Sequence, residues 1–345
     1  MTNQHEITKR MPLLNREGNL TEPGWARGLL WDYHRPDIRA SGMRIKEWDY
    51  YFVSNGHIGL ALTIADNGYM GLDSVSYLDF DEKWEITKSP MRLLPMGKTA
   101  LPETSAAGAS EIARGGYALA FYHDDDGTRK LTFHMDKFRG KDAIEGMISL
   151  SDEPAESMVI ATPFEKSGHF YYNQKINCLR AEGSVSLGDE TWRFDPTDAF
   201  AVLDWGRGVW TYHNTWYWSS ASGALDGVPF GFNLGYGFGD TSAATENALF
   251  HGGRLHKLTD VDFGIPQRDG KPDFLSPWHF TSSDGRFTAE FRPILDRAAC
   301  TDFQLLKSDQ HQVFGRFTGE CVLDDGTALS FRDFPGFAEQ VENKW

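Results

Sequence analysis

Cysteine is scarce in this chain of 345 residues, which contains only Cys178, Cys300 and Cys321. Their number is odd and their spacing is wide, which excludes a disulfide-stapled scaffold and a zinc site built on paired cysteines. Cys178 and Cys321 lie in apolar, strand-like contexts. Cysteine behaves as a small apolar residue in such surroundings, so we expect both thiols to be buried and unreactive.

Basic residues are also under-represented. The chain has 34 Lys plus Arg against 49 Asp plus Glu, a formal net charge of −15 at pH 7. Nucleic-acid binding requires a basic stripe that neutralises phosphates, and docking on an anionic membrane requires a similar basic patch. The composition therefore argues against both kinds of partner.

Long apolar runs are missing too. No stretch approaches the roughly 18 apolar residues needed to span a bilayer, and the segment Met1 to Leu14 has no apolar core of a signal peptide. These absences predict a cytoplasmic protein without a membrane span. The acidic run Asp124 to Asp126 is expected to form a hairpin tip rather than a calcium site.

Common catalytic signatures are absent as well. The chain has no Walker loop, no Gly-x-Ser-x-Gly elbow and no histidine pair at zinc-ligand spacing. We therefore expect neither a metal nor an organic cofactor. No pattern indicates the oligomeric state.

Turn signals recur at short intervals along the chain. A glycine after Asp or Asn supplies the positive φ that a tight hairpin requires, and each of these signals is flanked by apolar or alternating runs. They are Asp66-Asn67-Gly68, Asp125-Asp126-Gly127, Ser283-Asp284-Gly285 and Asp324-Asp325-Gly326. With 40% hydrophobic and 14% aromatic residues, the strands between such turns can bury a core.

Strand patterns dominate the chain. Residues 313 to 323 alternate with a period of two, and a return strand is predicted from Thr327 to Phe334. Helical signals are limited to an Ala-rich segment, Glu103 to Arg114, and to one turn at Thr245 to Phe250. The fold class predicted is therefore mostly antiparallel β, as a sandwich or barrel.

The length suggests that this architecture divides in two. The best boundary lies in the Gly-, Asp- and Pro-containing segment from Glu182 to Thr197. We predict an N-terminal extension over residues 1–30, a first β domain over residues 31–190 and a second over residues 191–345.

The segment Leu203 to Gly223 holds four of the 11 tryptophans. Extended strands alternate their side chains between two faces. This alternation places Asp204 with Gly206, Gly208 and Trp210, and it places Arg207 with Trp205 and Val209. Trp216 and Trp218 share a face opposite Tyr217. The tryptophans either line a pocket or fill a barrel core.

Asp204 is the most informative carboxylate of this segment. A carboxylate among tryptophans is costly to keep charged without a partner, so a proton-donor role is one interpretation. The other is that Asp204 pairs with Arg207 or with a turn amide.

Further candidates come from the second half of the chain and from one aromatic run before it. Glu246 and Asn247 lie in a Gly-rich stretch, where they either line a site or form a turn, and Glu339 lies on an apolar C-terminal strand. The candidate catalytic residues are Asp204, Arg207, Glu246 and Glu339. The candidate ligand-binding residues are Trp205, Trp210, His213, Trp216, Trp218, Asn233, Asn247, His251, Tyr171 and Tyr172.

These features resemble a bacterial family of uncharacterised proteins, the domain-of-unknown-function family 2804. The resemblance runs nearly from end to end of the chain, and the family implies no established activity. The matching segments are Gly24-Trp25, Lys46-Glu47-Trp48-Asp49-Tyr50, Asp66-Asn67-Gly68-Tyr69, Leu203 to Gly223, Asn233-Leu234-Gly235, Thr245-Glu246-Asn247 and Gly336 to Glu339.

More distantly, the chain is similar to the superfamily of carotenoid hydratases, AttH-like proteins and tocopherol cyclases. This resemblance implies two consecutive lipocalin-like (calycin-type) β-barrel domains, and it rests on Asp204-Trp205-Gly206, Thr215 to Trp218 and Gly336 to Glu339. Two positions depart from the hydratase pattern, because Trp205 stands in place of a His and Tyr217 in place of an Asp. The resemblance therefore supports the fold more than the hydration chemistry, and Asp204 as proton donor is the one catalytic role that it implies.

Three functions agree with these patterns. One is an enzyme that hydrates, cyclises or isomerises a hydrophobic small molecule after protonation by Asp204, with tryptophan faces stabilising the cation. Another is a lipocalin-like carrier that binds an apolar ligand without chemistry. The third is a carbohydrate-active enzyme, in which Asp204 and Glu246 or Glu339 act as paired carboxylates.

Overall fold

Strands account for nearly all regular structure in the computed structural model, which describes residues 4–124, 126–303 and 306–344. No α-helix occurs in these ranges, and Arg35–Asp37 forms one 3₁₀ turn. The strands are β1 Met11–Pro12, β2 Gly24–Ala26, β3 Trp31–Asp32, β4 Ile45–Ser54, β5 Ile58–Asp66, β6 Met70–Asp79, β7 Trp84–Lys88, β8 Met91–Leu93, β9 Gly108–Arg114, β10 Tyr117–His123, β11 Arg129–Arg139, β12 Asp142–Ser151, β13 Met158–Pro163, β14 Phe170–Leu187, β15 Glu190–Phe194, β16 Phe200–Val209, β17 His213–Leu225, β18 Val228–Tyr236, β19 Ala248–His251, β20 Arg254–Lys257, β21 Val261–Asp262, β22 Gln267–Arg268, β23 Lys271–Pro272, β24 Trp278–Ser282, β25 Phe287–Phe303, β26 Leu306–Val322 and β27 Ala328–Lys344.

Two large antiparallel sheets organise these strands, which confirms the predicted fold class. The first follows the path β7-β6-β5-β4-β16-β14-β12-β11-β10-β9, with β2, β8, β13 and β15 paired at its sides. The second follows the path β20-β19-β18-β17-β27-β26-β25-β24-β21. The change from one sheet to the other falls between Val209 and His213, and the domain division at residue 190 remains a prediction.

Each sheet curls around its own apolar core. In the first sheet, the ring of Tyr51 on β4 lies 5.2 Å from that of Phe121 on β10, although these strands are far apart along the sheet. In the second sheet, the ring of Phe232 on β18 lies 5.1 Å from Phe287 on β25 and 5.0 Å from Phe317 on β26. We call the two curled sheets the first and second barrel.

Most of the turn predictions fall where the chain reverses. Gly68, Gly127, Gly285 and Gly326 all have positive φ and lie in connections between paired antiparallel strands. Asp125, which is part of the second signal, lies outside the described residues. The burial of Cys178 and Cys321 is also confirmed, and desolvation raises the pKa of each thiol to about 12.

The two helical predictions are wrong. Part of the segment 103–114 is the strand β9, in which Ile112 pairs with Leu119 of β10, and part of the segment 245–250 is the strand β19. Helix propensity is a weak preference that tertiary context overrides, and here the hydrogen bonds of a neighbouring strand satisfy the backbone. Within the described residues, no helix has the length and apolarity to cross a bilayer.

The outer faces of the two barrels pack against each other. The ring of Phe52 on β4 lies 5.0 Å from Phe314 on β26 and 5.5 Å from Phe337 on β27. A second apolar cluster joins the barrels through Tyr171 and Phe238. Polar side chains that lie between these two contacts are therefore shielded from water by both barrels.

Candidate functional site

Strand β16 presents its two faces to different parts of the molecule, as the alternation predicted. Trp205 is 1% exposed and belongs to the first barrel's core, where its ring lies 5.5 Å from that of Tyr172. Arg207 is on the same face, and its Nη1 donates to Asp49 Oδ1 at 3.0 Å. Asp204 points to the opposite face, toward the second barrel, and therefore has partners other than Arg207.

The partners of Asp204 come from the neighbouring strand β14. Lys175 lies directly opposite Asp204 in the strand register, and its Nζ is 2.9 Å from Asp204 Oδ1. Asn173 Nδ2 donates to the same oxygen at 2.5 Å. The ammonium of Lys175 also lies 3.9 Å from the ring centroid of Trp218, in cation–π geometry. Asp204 is thus held in a buried ion pair.

Glu246 approaches the same lysine from the loop between β18 and β19. Its Oε2 is 4.0 Å from Lys175 Nζ, and Asn233 Nδ2 donates to the backbone oxygen of Glu246 at 2.9 Å. A Cβ on Gly235 would lie 2.5 Å from Glu246 Oε1, so the glycine makes room for the carboxyl group. Desolvation raises the pKa of Glu246, and the charge of Lys175 opposes this shift.

Glu339 enters from β27 of the second barrel and is only 4% exposed. Trp216 Nε1 donates to its Oε1 at 2.8 Å, and Gln312 Nε2 donates to its Oε2 at 2.9 Å. Both of these donors are neutral. Desolvation therefore raises the pKa of Glu339 to about 7, although the Trp216 hydrogen bond and the charge of Arg297 act in the opposite direction.

Trp218 connects Glu339 to the other side chains, because it lies opposite Glu339 in the strand register and its ring receives the Lys175 ammonium. We call this group between the barrels the carboxylate site: Asp204, Glu246, Glu339 and Lys175. The sequence analysis named the three carboxylates but missed Lys175 and its neighbour Asn173. One signal was available, because Asn173 and Lys175 share the parity of Tyr171 on a strand that begins with three consecutive aromatic residues. A lysine in such a strand requires a buried anion as its partner.

An aromatic wall lies beside the carboxylate site and consists of Trp48, Tyr171, Trp210, Trp216 and Phe238. The ring of Trp210 is 5.3 Å from Trp48 and 5.6 Å from Trp216. The ring of Phe238 is 4.9 Å from Tyr171 and 5.4 Å from Trp216.

The charges of the carboxylate site act on the aromatic wall, and a glycine of β16 makes room for one of the wall's side chains. Desolvation and the nearby charges of Glu246, Asp204 and Glu339 raise the pKa of Tyr171. Trp48 lies across β16 because residue 206 is glycine, since a Cβ there would be 2.0 Å from the indole. Glycine at this position is therefore required by the packing of the wall.

The remaining candidates lie elsewhere. Tyr172 and Trp205 fill the first barrel's core, and His213 is exposed, with its Nε2 3.1 Å from Glu342 Oε1. Asn247 has a structural role, because its Oδ1 accepts the Gly235 amide at 2.6 Å and its Nδ2 donates to Thr259 O at 2.9 Å. His251 ends β19 opposite Phe230. Trp210, Trp216, Trp218, Asn233 and Tyr171 do belong to the site or its wall.

The described residues contain no group of three or more His, Cys, Asp or Glu side chains arranged to hold a metal ion. What the arrangement offers is acid–base chemistry. Glu339 is a buried carboxyl group with neutral hydrogen-bond donors, and Asp204 is a carboxylate paired with an ammonium. Two carboxyl groups in such different environments can take the separate roles of acid and base.

Comparison with known proteins gives one family and several structural neighbours, two of which are described below. The profile of the family described as "Domain of unknown function (DUF2804)" matches residues 4–345. No curated protein matches the chain. The fold is similar to that of a putative AttH from Nitrosomonas europaea, with 14% identity, a TM-score of 0.53, and coverage of 86% of this chain and 92% of that one.

Kievitone hydratase from Nectria haematococca is a further neighbour, with 10% identity and a TM-score of 0.49 over 97% of this chain and 98% of that one. At 14% identity, the similarity to the AttH protein shows the fold alone. It agrees with the two lipocalin-like barrels expected from the distant resemblance.

Proposed function

Since this chain belongs to the family described as a domain of unknown function, DUF2804, its membership carries no activity, and we propose the function from the site itself. The protein is an acid–base enzyme that adds water to, cyclises or isomerises an unsaturated hydrophobic small molecule bound between the barrels. The observation that carries this proposal is the convergence of a neutral-donor carboxyl group, Glu339, and an ion-paired carboxylate, Asp204, beside an aromatic wall.

We assign the proton-donor role to Glu339 rather than to Asp204. The donor must hold a proton near neutral pH, and desolvation raises the pKa of Glu339 to about 7. Asp204 instead accepts from the ammonium of Lys175 and the amide of Asn173, which stabilise a carboxylate. Its partners thus favour the carboxylate form, which is the form that the proton acceptor of this reaction must have.

For hydration, the proton balance is as follows. Glu339 transfers its proton to one alkene carbon, and the cation formed at the other carbon is stabilised by the faces of the aromatic wall. Water adds to that carbon, and Asp204 accepts the proton that the water loses. Exchange with solvent then returns a proton to Glu339 and restores Asp204. Cyclisation differs only in that a group of the substrate replaces the water.

The test is untargeted mass spectrometry of a cell metabolite extract incubated with the protein in H₂¹⁸O. We expect one or more compounds to be consumed and products to appear at the same mass or with one labelled water added. Glu339→Gln should abolish this conversion. Glu342→Gln, a control on the same strand whose carboxylate pairs with Lys307 outside the site, should retain it. Conversion by Glu339→Gln at the wild-type rate would refute the proposed acid.

Two further measurements, organic extraction and thermal shift, separate the alternatives. A carrier would convert nothing but would release a stoichiometric apolar compound on organic extraction. A carbohydrate-active enzyme has one supporting feature, because Asp204 and Glu246 both approach Lys175 Nζ, at 2.9 and 4.0 Å. Such closely placed carboxyl groups can flank a glycosidic bond. In that case soluble oligosaccharides, rather than apolar compounds, would raise the melting temperature.

A further inference from the structure

A second cleft lies on the other face of β16, at the mouth of the first barrel. It is a shallow cleft, with about 270 Å³ of space unoccupied by protein atoms when the open solvent at its entrance is included, and it is lined by Leu203 and Trp205 from β16. Asp204, between them, points to the opposite side of the sheet. The wall of the first barrel therefore separates this mouth cleft from the carboxylate site, so the two can be tested independently.

Two buried N–H donors at the mouth cleft have no acceptor among the described residues. Arg129 is 2% exposed, and its Nε donates to Glu153 and its Nη1 to Ser105 O, both at 2.8 Å. Its Nη2 has no hydrogen-bond partner, and neither does Nε1 of Trp205, which is 1% exposed. Buried polar groups of folded proteins are almost always paired, so two such donors in one cleft indicate a missing acceptor.

Two acceptor-bearing residues that line the cleft, Asp49 and Ser105, are already engaged. Asp49 accepts from Ser110 Oγ and from Arg207 Nη1. Ser105 gives its backbone oxygen to Arg129 and donates its hydroxyl to Gln174. The unpartnered buried side-chain atoms of this lining are both N–H donors, so the group that completes them accepts hydrogen bonds. An ionised carboxylate has this property, and one of the two donors is a guanidinium.

The rest of the lining indicates what the carboxylate is attached to. Tyr51 and Phe121 both line the cleft and pack edge to face on each other with ring centroids 5.2 Å apart, and Trp205 adds a third aromatic side chain. We propose that the mouth cleft is a binding site for a small aromatic or apolar carboxylate, whose carboxylate group accepts from Arg129 Nη2 and Trp205 Nε1.

Isothermal titration calorimetry with benzoate tests this proposal, with benzyl alcohol as the neutral analogue of similar shape. We expect saturable one-to-one binding of benzoate and at least tenfold weaker binding of benzyl alcohol. Trp205→Phe keeps an aromatic ring but removes the N–H, and it should weaken benzoate binding about five- to tenfold. Arg129→Lys keeps the charge but loses the planar fork and should weaken binding similarly.

Two controls make the result specific. Trp31→Phe removes an indole N–H that donates to Glu22 O outside the cleft, and it should leave benzoate binding unchanged. Asp204→Asn, in the carboxylate site, should also leave it unchanged. Absence of saturable binding would mean that water fills the cleft and would overturn the proposal. Equal affinity in wild type and Trp205→Phe, or loss of binding only in Asp204→Asn, would overturn it as well.

Discussion

Glu339 and Asp204 are both buried carboxyl groups, and they differ because of the charges of the atoms beside them. The two hydrogen bonds to Glu339 come from an indole and an amide, whereas Asp204 faces an ammonium at 2.9 Å. Without a cation in contact, the desolvation of Glu339 is not offset, so burial favours its protonated form. The division of acid and base roles follows from this difference.

This difference predicts how stability depends on pH. The pKa of Glu339 rises from 4.5 in the unfolded chain to about 7 in the folded one, so its protonation stabilises the fold below about pH 4.5 and this stabilisation is lost as pH rises through 7. We would measure the free energy of unfolding of wild type and Glu339→Gln by urea denaturation from pH 4 to 9. Relative to wild type, the variant should gain about 3 kcal/mol in the free energy of unfolding between the low and the high end of this range.

The amide introduced at position 339 carries its own cost. Its NH₂ group would face either Nε1 of Trp216 or Nε2 of Gln312, and both of these atoms are donors. We expect this mismatch to lower the free energy of unfolding of the variant by about 1 kcal/mol at every pH. It therefore does not change how the stability difference between variant and wild type depends on pH. A constant difference across the pH range would show that Glu339 is ionised in the fold and would contradict its role as acid.

The loop from β18 to β19 brings Glu246 to the carboxylate site and Phe238 to the aromatic wall. Phe238 lies between Gly237 and Gly239, which both have positive φ, and its ring is surrounded by Tyr171, Trp210 and Phe164 at 4.9, 5.0 and 5.1 Å. The glycines allow the sharp path that turns this ring inward. The loop therefore covers the site with an aromatic side chain.

Phe238→Ala should open an apolar cavity beside the carboxylate site. We expect a loss of about 3 kcal/mol in the free energy of unfolding, and we expect toluene to restore part of it, because empty apolar cavities bind small aromatic molecules. Phe274→Ala is the control, since Phe274 lies in a loop of the second barrel and stacks on His311. Equal effects of toluene on both variants would contradict this role of Phe238.

Between the barrels, the whole molecule depends on a shared apolar interface. Phe337 is fully buried there, with its ring 4.8 Å from Trp218 of its own sheet and 5.5 Å from Phe52 of the other. The carboxylate site likewise takes Asp204 and Lys175 from the first barrel and Glu339 from the second. Neither barrel alone contains the complete site.

This shared interface predicts cooperative unfolding. Phe337→Ala should lower the free energy of unfolding by about 3–5 kcal/mol while leaving a single transition with an unchanged urea m-value. Tryptophan fluorescence and far-ultraviolet circular dichroism should report the same midpoint. Phe287→Ala, in the second barrel's own core, is the size-matched control. Two separated transitions in the Phe337→Ala variant would show that the barrels fold independently.

The sequence by itself determined the fold class, the hairpin turns and the two faces of β16. Alternation on β16 separated Asp204 from Trp205 and Arg207, and glycines after Asp or Asn marked the hairpins, because side-chain period and backbone φ are local properties. The local patterns failed where pairing with a neighbouring strand outweighed propensity, as in β9 and β19. They also could not show that Tyr172 and Trp205 fill a barrel core.

Only the tertiary structure decided which residues meet. Lys175 and Asp204 are neighbours because β14 pairs with β16 in one register, and Glu339 joins them because the outer faces of two barrels pack together. The resulting burial sets the charge of each carboxyl group, since desolvation depends on everything around it and not on its strand alone. Packing across 135 residues of chain, from Asp204 to Glu339, created the site.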